Sequence, residues 1–127
     1  MPGLTIDMEE EMKRFNATAV AVEELPELNT FTVVLAEARE GGERLELHKA
    51  ISFDEQDRAL RIDTYCLCTE TGTVYGGVTS WTVAPGTLEV RLDARAAEML
   101  DVEGGFRVTF PPESMQDLAS GLRRVLG

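Results

Sequence analysis

Three side chains in this sequence carry the nucleophilic or soft-ligand chemistry that a thiol enzyme or a zinc site needs: Cys66, Cys68 and His48. The cysteines stand two apart, so on a strand they share a face with α-carbons about 6.5–7 Å apart, at or beyond the reach of an unstrained disulfide. His48 is the only histidine, and these three donors lack a fourth ligand for a structural zinc ion. A reactive thiol also needs a nearby base, and none adjoins either cysteine in sequence. Both cysteines therefore read as small buried hydrophobes. His48 falls with Arg44 and Glu46 on the polar face of an alternating run and reads as a solvated residue. Carboxylates for acid–base work or a hard cation could come from Asp54, Glu55, Asp57 and Asp63. They are drawn from 23 acids, however, and lack the spacing of a Ca²⁺ or Mg²⁺ loop. Glycine-rich phosphate loops, nucleophile elbows and paired-histidine zinc motifs are absent from the sequence. No catalytic residue, metal site or cofactor is assigned.

Binding is the better-supported chemistry. Tyr65 and Tyr75 flank a hairpin-like turn at Glu70-Thr71-Gly72, and tyrosine supplies rigid contact area with a polar tip. The competing reading places their rings in the core, with hydroxyls bonded to Asp63 or to backbone. Gly76-Gly77 closes the aromatic-bearing strand; glycines there mark a bulge or a close backbone approach.

The charge is lopsided, with 12 Lys and Arg against 23 Asp and Glu, a net of −11. Residues 1–40 hold nine of those acids and three of the bases, which accounts for −6. Such a field repels phosphate backbones and argues against nucleic-acid binding, while it speeds encounter with a basic partner. No apolar run reaches the roughly 18 residues of a membrane span. The acidic opening MPGLTIDMEEEMKRF has no apolar secretory core. A cytoplasmic protein without membrane contact is the default expectation.

The elements that must position these residues follow from periodicity. Asp7 with Glu10 resembles a capping box, and Met8, Met12 and Phe15 share a helical face, so residues 1–14 read as a short helix or a frayed tail. Residues 15–127 read as one domain, a size sufficient for a core without staples. Alternation predicts strands over 17–22, 31–36, 44–48 and 62–69, then 73–77 continuing through 78–83, then 88–92 and 106–110. Asp93 caps a short helix to about Asp101, and Ser114 with Asp117 resembles a capping box for a terminal helix. That helix carries the stripe Met115, Leu118, Ala119, Leu122, Val125 and Leu126. Arg123 and Arg124 in its last turn complement the helix dipole. The expected fold is α+β: a mostly antiparallel sheet of about six to seven strands, with a helix–strand–helix ending packed on one face.

The order Gln56-Asp57, then Asp63-Thr64-Tyr65-Cys66, then Tyr75-Gly76-Gly77-Val78 resembles the immunity protein 10 family. Phe15 to Ala36 is similar to that family's opening hairpin, and Leu88 to Leu126 to its strand, alanine-rich helix, strand and closing helix. The family often has Gly-Met where this chain has Arg61-Ile62. The resemblance covers residues 15–127. It implies a bacterial protein, encoded beside a polymorphic toxin, that neutralises that toxin in the cytoplasm by protein–protein contact. It implies neither catalysis nor a cofactor. The candidate toxin-binding residues are Asp54, Glu55, Asp57, Asp63, Tyr65 and Tyr75, with Gly76 and Gly77 serving the fold and a basic toxin surface as the expected complement. Monomer and homodimer both stay open. The competing classes are an acidic secretion chaperone and a small enzyme or ligand-binding domain built around His48, Cys66 or Asp63.

Overall fold

The structure is a computed structural model that describes residues 12–38, 41–60 and 64–127, apart from the Asp57 side chain. The expected helix at Asp7, Met8 and Glu10 lies outside the described residues. Met12 is buried, and Phe15 belongs to a strand rather than to a helical face.

Nine strands lie among the described residues, and they form two sheets. The first five-stranded sheet is an antiparallel meander of β2 (Ala19–Leu25), β3 (Thr30–Ala36), β4 (Arg44–Ala50), β5 (Cys66–Thr69) and β6 (Thr73–Tyr75). The four-stranded sheet runs β1 (Lys13–Asn16), β9 (Gly105–Thr109), β8 (Thr87–Leu92), β7 (Val78–Ala84). Within it only β1 pairs in parallel, along β9. From β1 the described chain leaves one sheet, builds the whole of the other, and returns. It crosses between them at Ala17-Thr18 and at Gly76-Gly77.

The α+β class holds, but the single sheet with helices on one face does not. Side-chain alternation has a period of two whichever neighbour a strand bonds to. The apolar rhythm therefore runs on across Gly76-Gly77 while the pairing partner changes from β5 to β8.

One core lies between the sheets. Val33, Leu35, Leu45, Leu47, Leu67 and Val74 meet Leu88, Val90, Phe106 and Val108 there, all almost fully buried. Of the three α-helices among the described residues, α1 (Glu55–Ala59) lies in the connection from β4 to β5, and the other two bridge the sheets: α2 (Ala94–Met99) touches β6 and β8, and α3 (Met115–Leu126) covers β2, β3 and β4 and reaches β7. The α3 stripe is as expected at Leu118, Ala119, Leu122 and Val125, with one addition. Gly121 is buried too, and a Cβ there would stand 2.8 Å from Val22 Cγ1 and 3.0 Å from Val33 Cγ2. Glycine sets how closely the helix approaches the sheet.

Local chemistry explains where the helices start. Asp93 Oδ1 accepts the Ala96 amide at 2.8 Å, a true N-cap. Ser114 makes no such bond, because a 3-10 turn over Pro112–Ser114 leads straight into α3 and leaves Ser114 in helical φ/ψ. Arg124 does more than complement the dipole. It pairs with Glu24 of β2 at 2.5 Å and lies over the Phe31 ring, 4.1 Å from its centroid. Among the described residues no helix is long and apolar enough to cross a membrane.

Candidate functional site

The stretch singled out by its residue types resolves into two neighbourhoods. The first is the corner between the sheets. Strand β5 begins only at Cys66, and Thr64 and Tyr65 precede it in irregular backbone. The Tyr65 carbonyl accepts the Gly76 amide at 3.0 Å, and its hydroxyl accepts the Val78 amide at 2.9 Å. One residue thereby satisfies donors on both sides of the turn. Burial pushes the phenol pKa up, with the Val78 hydrogen bond opposing it. On the far side the Gly77 carbonyl accepts the Asp93 amide at 2.8 Å, and Arg95 Nη2 donates to the Tyr75 carbonyl at 2.9 Å. The start of α2 is therefore tied to the corner. Gly76 and Gly77 have φ of +70° and +102°, and a Cβ on Gly77 would stand 2.5 Å from Ala96 Cβ. The glycine pair and the Tyr65 hydrogen bonds meet at this corner, and the expected bulge is a sheet-to-sheet turn.

The second neighbourhood is one end of the five-stranded sheet. Cys66 pairs directly with Tyr75, so Tyr75 points to the outer face of the sheet, opposite to the core side that Leu67 occupies. Tyr75 is 48% exposed. It lines a shallow depression of about 230 Å³ with Thr30, His48, Phe53, Thr64 and Cys66. The connection from β4 to β5 forms the rim. Asn29 braces that connection: its side chain donates to the Ser52 carbonyl at 3.0 Å and accepts the Ser52 amide at 3.1 Å. The Asn29 carbonyl also accepts the Ile51 amide at 3.0 Å, and Leu28 and Ile51 are both exposed. Leu60 at the end of α1 (Glu55–Ala59) is exposed as well. Ile51 lines a separate small depression with Phe31, Lys49, Ala50 and Arg124.

Asp54 and Glu55 are exposed at the start of α1, one and two residues beyond Phe53. Asp57 lies within α1, and Asp63 lies outside the described residues. Of the two tyrosines, the structure brings Tyr75 to this end and commits Tyr65 to the corner. Sequence reasoning missed Leu28, Leu60 and the bracing by Asn29. The one available signal was Leu28, an apolar residue just after Pro26 in the Glu24–Asn29 segment.

The cysteines are half-buried free thiols on the outer face rather than core residues, since Leu67 between them takes the core position. Burial, with Cys68 adding to it, pushes the Cys66 thiol up to about 11, the wrong direction for a nucleophile at neutral pH. His48 Nε2 stands 2.9 Å from Glu46 Oε1. As placed, no three His, Cys, Asp or Glu side chains among the described residues form a metal-holding group.

A third feature ties the sheets from another side. Lys13 Nζ of β1 bridges Glu43 Oε2 and Glu70 Oε1, each at 2.7 Å, and the Arg44 amide donates to Glu70 Oε2 at 3.1 Å. Burial pushes the Glu70 carboxyl up, but its bonds with Glu43, Lys13 and the amide prevail and hold it at about 2. Glu43 moves the other way, raised first of all by its contact with Glu70.

Compared with known proteins, the chain matches a family model described as Immunity protein 10 over residues 16–118, most of its length. The chain belongs to the immunity protein 10 family. The matched span runs from β1 into α3 and contains both the Tyr65–Gly77 corner and the Tyr75 depression. No curated protein and no solved structure gives a significant match. Of the described residues that carried the resemblance, Tyr65, Gly76, Gly77 and Val78 meet at the corner between the sheets, and Gln56 and Tyr75 face solvent.

Proposed function

We propose that this protein binds and neutralises a cognate bacterial toxin by surface contact, without chemistry of its own, and that the contact is made at the end of the five-stranded sheet around Tyr75. The observation that carries the reading is the half-exposed Tyr75 in a depression shared with Phe53 and His48, with the exposed acidic start of α1 at Asp54 and Glu55 following Phe53 in sequence. Apolar anchors ringed by polar residues are the anatomy of a recognition surface, and a half-exposed tyrosine on a rigid strand is a favoured hot spot. Asp54 and Glu55 supply the negative side, and Asp57 and Asp63 belong to the same connection in sequence. With a net charge of −11, they steer the surface toward a basic partner, such as a cationic active-site cleft that contact would occlude.

Co-expression with the toxin encoded beside the protein's own gene tests the reading. The native chain protects cells. A Tyr75→Ala, Glu55→Lys double variant stays soluble and protects poorly. Failure of the native chain to protect against that toxin overturns the proposal.

A further inference from the structure

We propose that the open edge of β7 pairs with the same edge of a second copy of this chain, antiparallel about a two-fold axis at Thr82. Among the described residues the edge strands of the two sheets are β1, β7, β2 and β6. Exposed edges invite pairing, and proteins blunt them with charge, shortness or cover. β1 carries Lys13 and Arg14, and β2 carries Glu23 and Glu24 and lies under α3. β6 has 3 residues, and its Tyr75 carbonyl is taken by Arg95. β7, in contrast, reads Val-Thr-Ser-Trp-Thr-Val-Ala, with neither charge nor proline. A register shift between Val78 and Ser80 disturbs its first end and leaves Ser80–Ala84 regular.

The phase of the hydrogen bonds fixes which backbone groups face outward. Leu92 donates its amide to the Gly104 carbonyl at 2.9 Å, and Phe110 donates to Gly86 at 3.0 Å. Even-numbered positions along β8 therefore spend their backbone on β9, since bonded and non-bonded pairs alternate. Thr87, Glu89 and Arg91 are left to bond β7, through Ala84, Thr82 and Ser80. The N–H and C=O groups of Trp81 and Val83 then point to the open edge.

That edge is complementary to itself. Pairing centred on Thr82 sets Trp81 opposite Val83 of the second copy on both sides of the axis, and these are the residues whose backbone groups are directed outward. Both side chains are half-buried against the core, so an aromatic ring meets a β-branched residue across the new ladder. Trp81 already lines a groove with Leu126, which Val83 of the second copy extends. On the outer face Thr82 meets Thr82, and Ser80 meets Ala84, all exposed in the single chain. A slip of one residue would oppose Trp81 to Thr82 and exchange the faces.

Charge selects the same place. Two chains of net charge −11 repel each other over most of their surface. β7 adds no charge, and Glu89, directly opposite Thr82 on β8, is paired with Arg91 at 2.6 Å and with Arg107 at 2.7 Å. The contact is one short strand from each copy, at the small end of specific interfaces, so the association is reversible. It lies on the other sheet from Tyr75 and stands independently of the toxin reading.

Sedimentation equilibrium of the full chain, in a series reaching about 1 mM, tests the pairing. The native protein is expected to move reversibly from 14.0 kDa toward twice that mass as concentration rises. Thr82→Lys places a cation beside Glu89 within the chain but sets two like charges against each other across the axis. It is expected to weaken association about tenfold or more. Cross-linking in a Cys66→Ser, Cys68→Ser background reads the register. Thr82→Cys closes to a disulfide-linked dimer on mild oxidation, because a non-hydrogen-bonded pair brings α-carbons to about 4.5 Å. Ala84→Cys stays unlinked, because its counterpart lies at the far end of the pairing. Circular dichroism confirms that each variant is folded. A native chain that stays monomeric throughout the series overturns the proposal. So does a dimer that Thr82→Lys leaves unchanged, or one in which Thr82→Cys fails to cross-link.

Discussion

The corner at Tyr65 and the depression at Tyr75 use the same residue type one rung apart on the same hairpin, and they do opposite things. Tyr65 turns inward and satisfies backbone amides of Gly76 and Val78; Tyr75 turns outward and leaves its ring half in solvent. Gly76 and Gly77, which follow Tyr75, belong to the corner, while Phe53, one residue before the acidic start of α1, lines the depression. A motif that reads as one signature is two devices. Which residue serves which is decided by strand register, because a shift of one position exchanges the faces.

Substitutions that separate fold from recognition break this comparison most sharply at the glycine pair. Gly77→Ala combines a positive φ with a Cβ 2.5 Å from Ala96 Cβ. It is expected to cost about 2–4 kcal/mol in urea unfolding. Gly76→Ala meets open space and has only its φ to overcome, so about 1–2 kcal/mol is expected. Equal losses at the two positions would contradict the close approach to α2.

Tyr75→Ala is expected to leave stability within about 0.5 kcal/mol of native and to weaken toxin binding by about 2 kcal/mol, roughly 30-fold. Tyr65→Phe inverts that pattern. It removes the acceptor of the Val78 amide and costs about 1–2 kcal/mol of stability, with toxin affinity per folded molecule unchanged.

The smallest effect belongs to the Lys13–Glu43–Glu70 clamp, which ties β1 to residues flanking β4 and β5. A carboxyl whose folded pKa is about 2, against an ordinary 4.5, stabilises the folded state fully above pH 4.5 and loses that contribution as pH falls toward 2. Glu70→Gln is therefore expected to cost about 1 kcal/mol or less at neutral pH. In paired acid-unfolding curves, its difference from native shrinks between pH 4.5 and 2.

Much of this was legible in the sequence because it is local. Strand alternation located Leu88, Val90 and Leu92 in the core, Asp93 announced its cap, and the α3 stripe was read residue by residue. Membership of the family followed from the order of short motifs. Pairing was not legible, since the same alternation fits one sheet or two and nothing local states that β7 leaves β6 for β8. The site suffered from the same blindness. Sequence placed the two tyrosines on neighbouring strands, but only the Cys66–Tyr75 register puts their rings on opposite faces. Lys13 and its two carboxylates are far apart in sequence, so that clamp had no local signature. Glu46 was read as a polar-face residue beside His48, and its position opposite Cys68 depends on the β4–β5 register.

Amide hydrogen exchange of the protein with and without the toxin encoded beside its gene addresses the central claim directly. Protection on binding is expected to concentrate in residues 50–58 and 73–75, with the amides of Gly76 and Val78 already slow in the free protein. Toxin-induced protection confined to other surfaces, or none at saturating toxin, would contradict the assignment of recognition to the Tyr75 end.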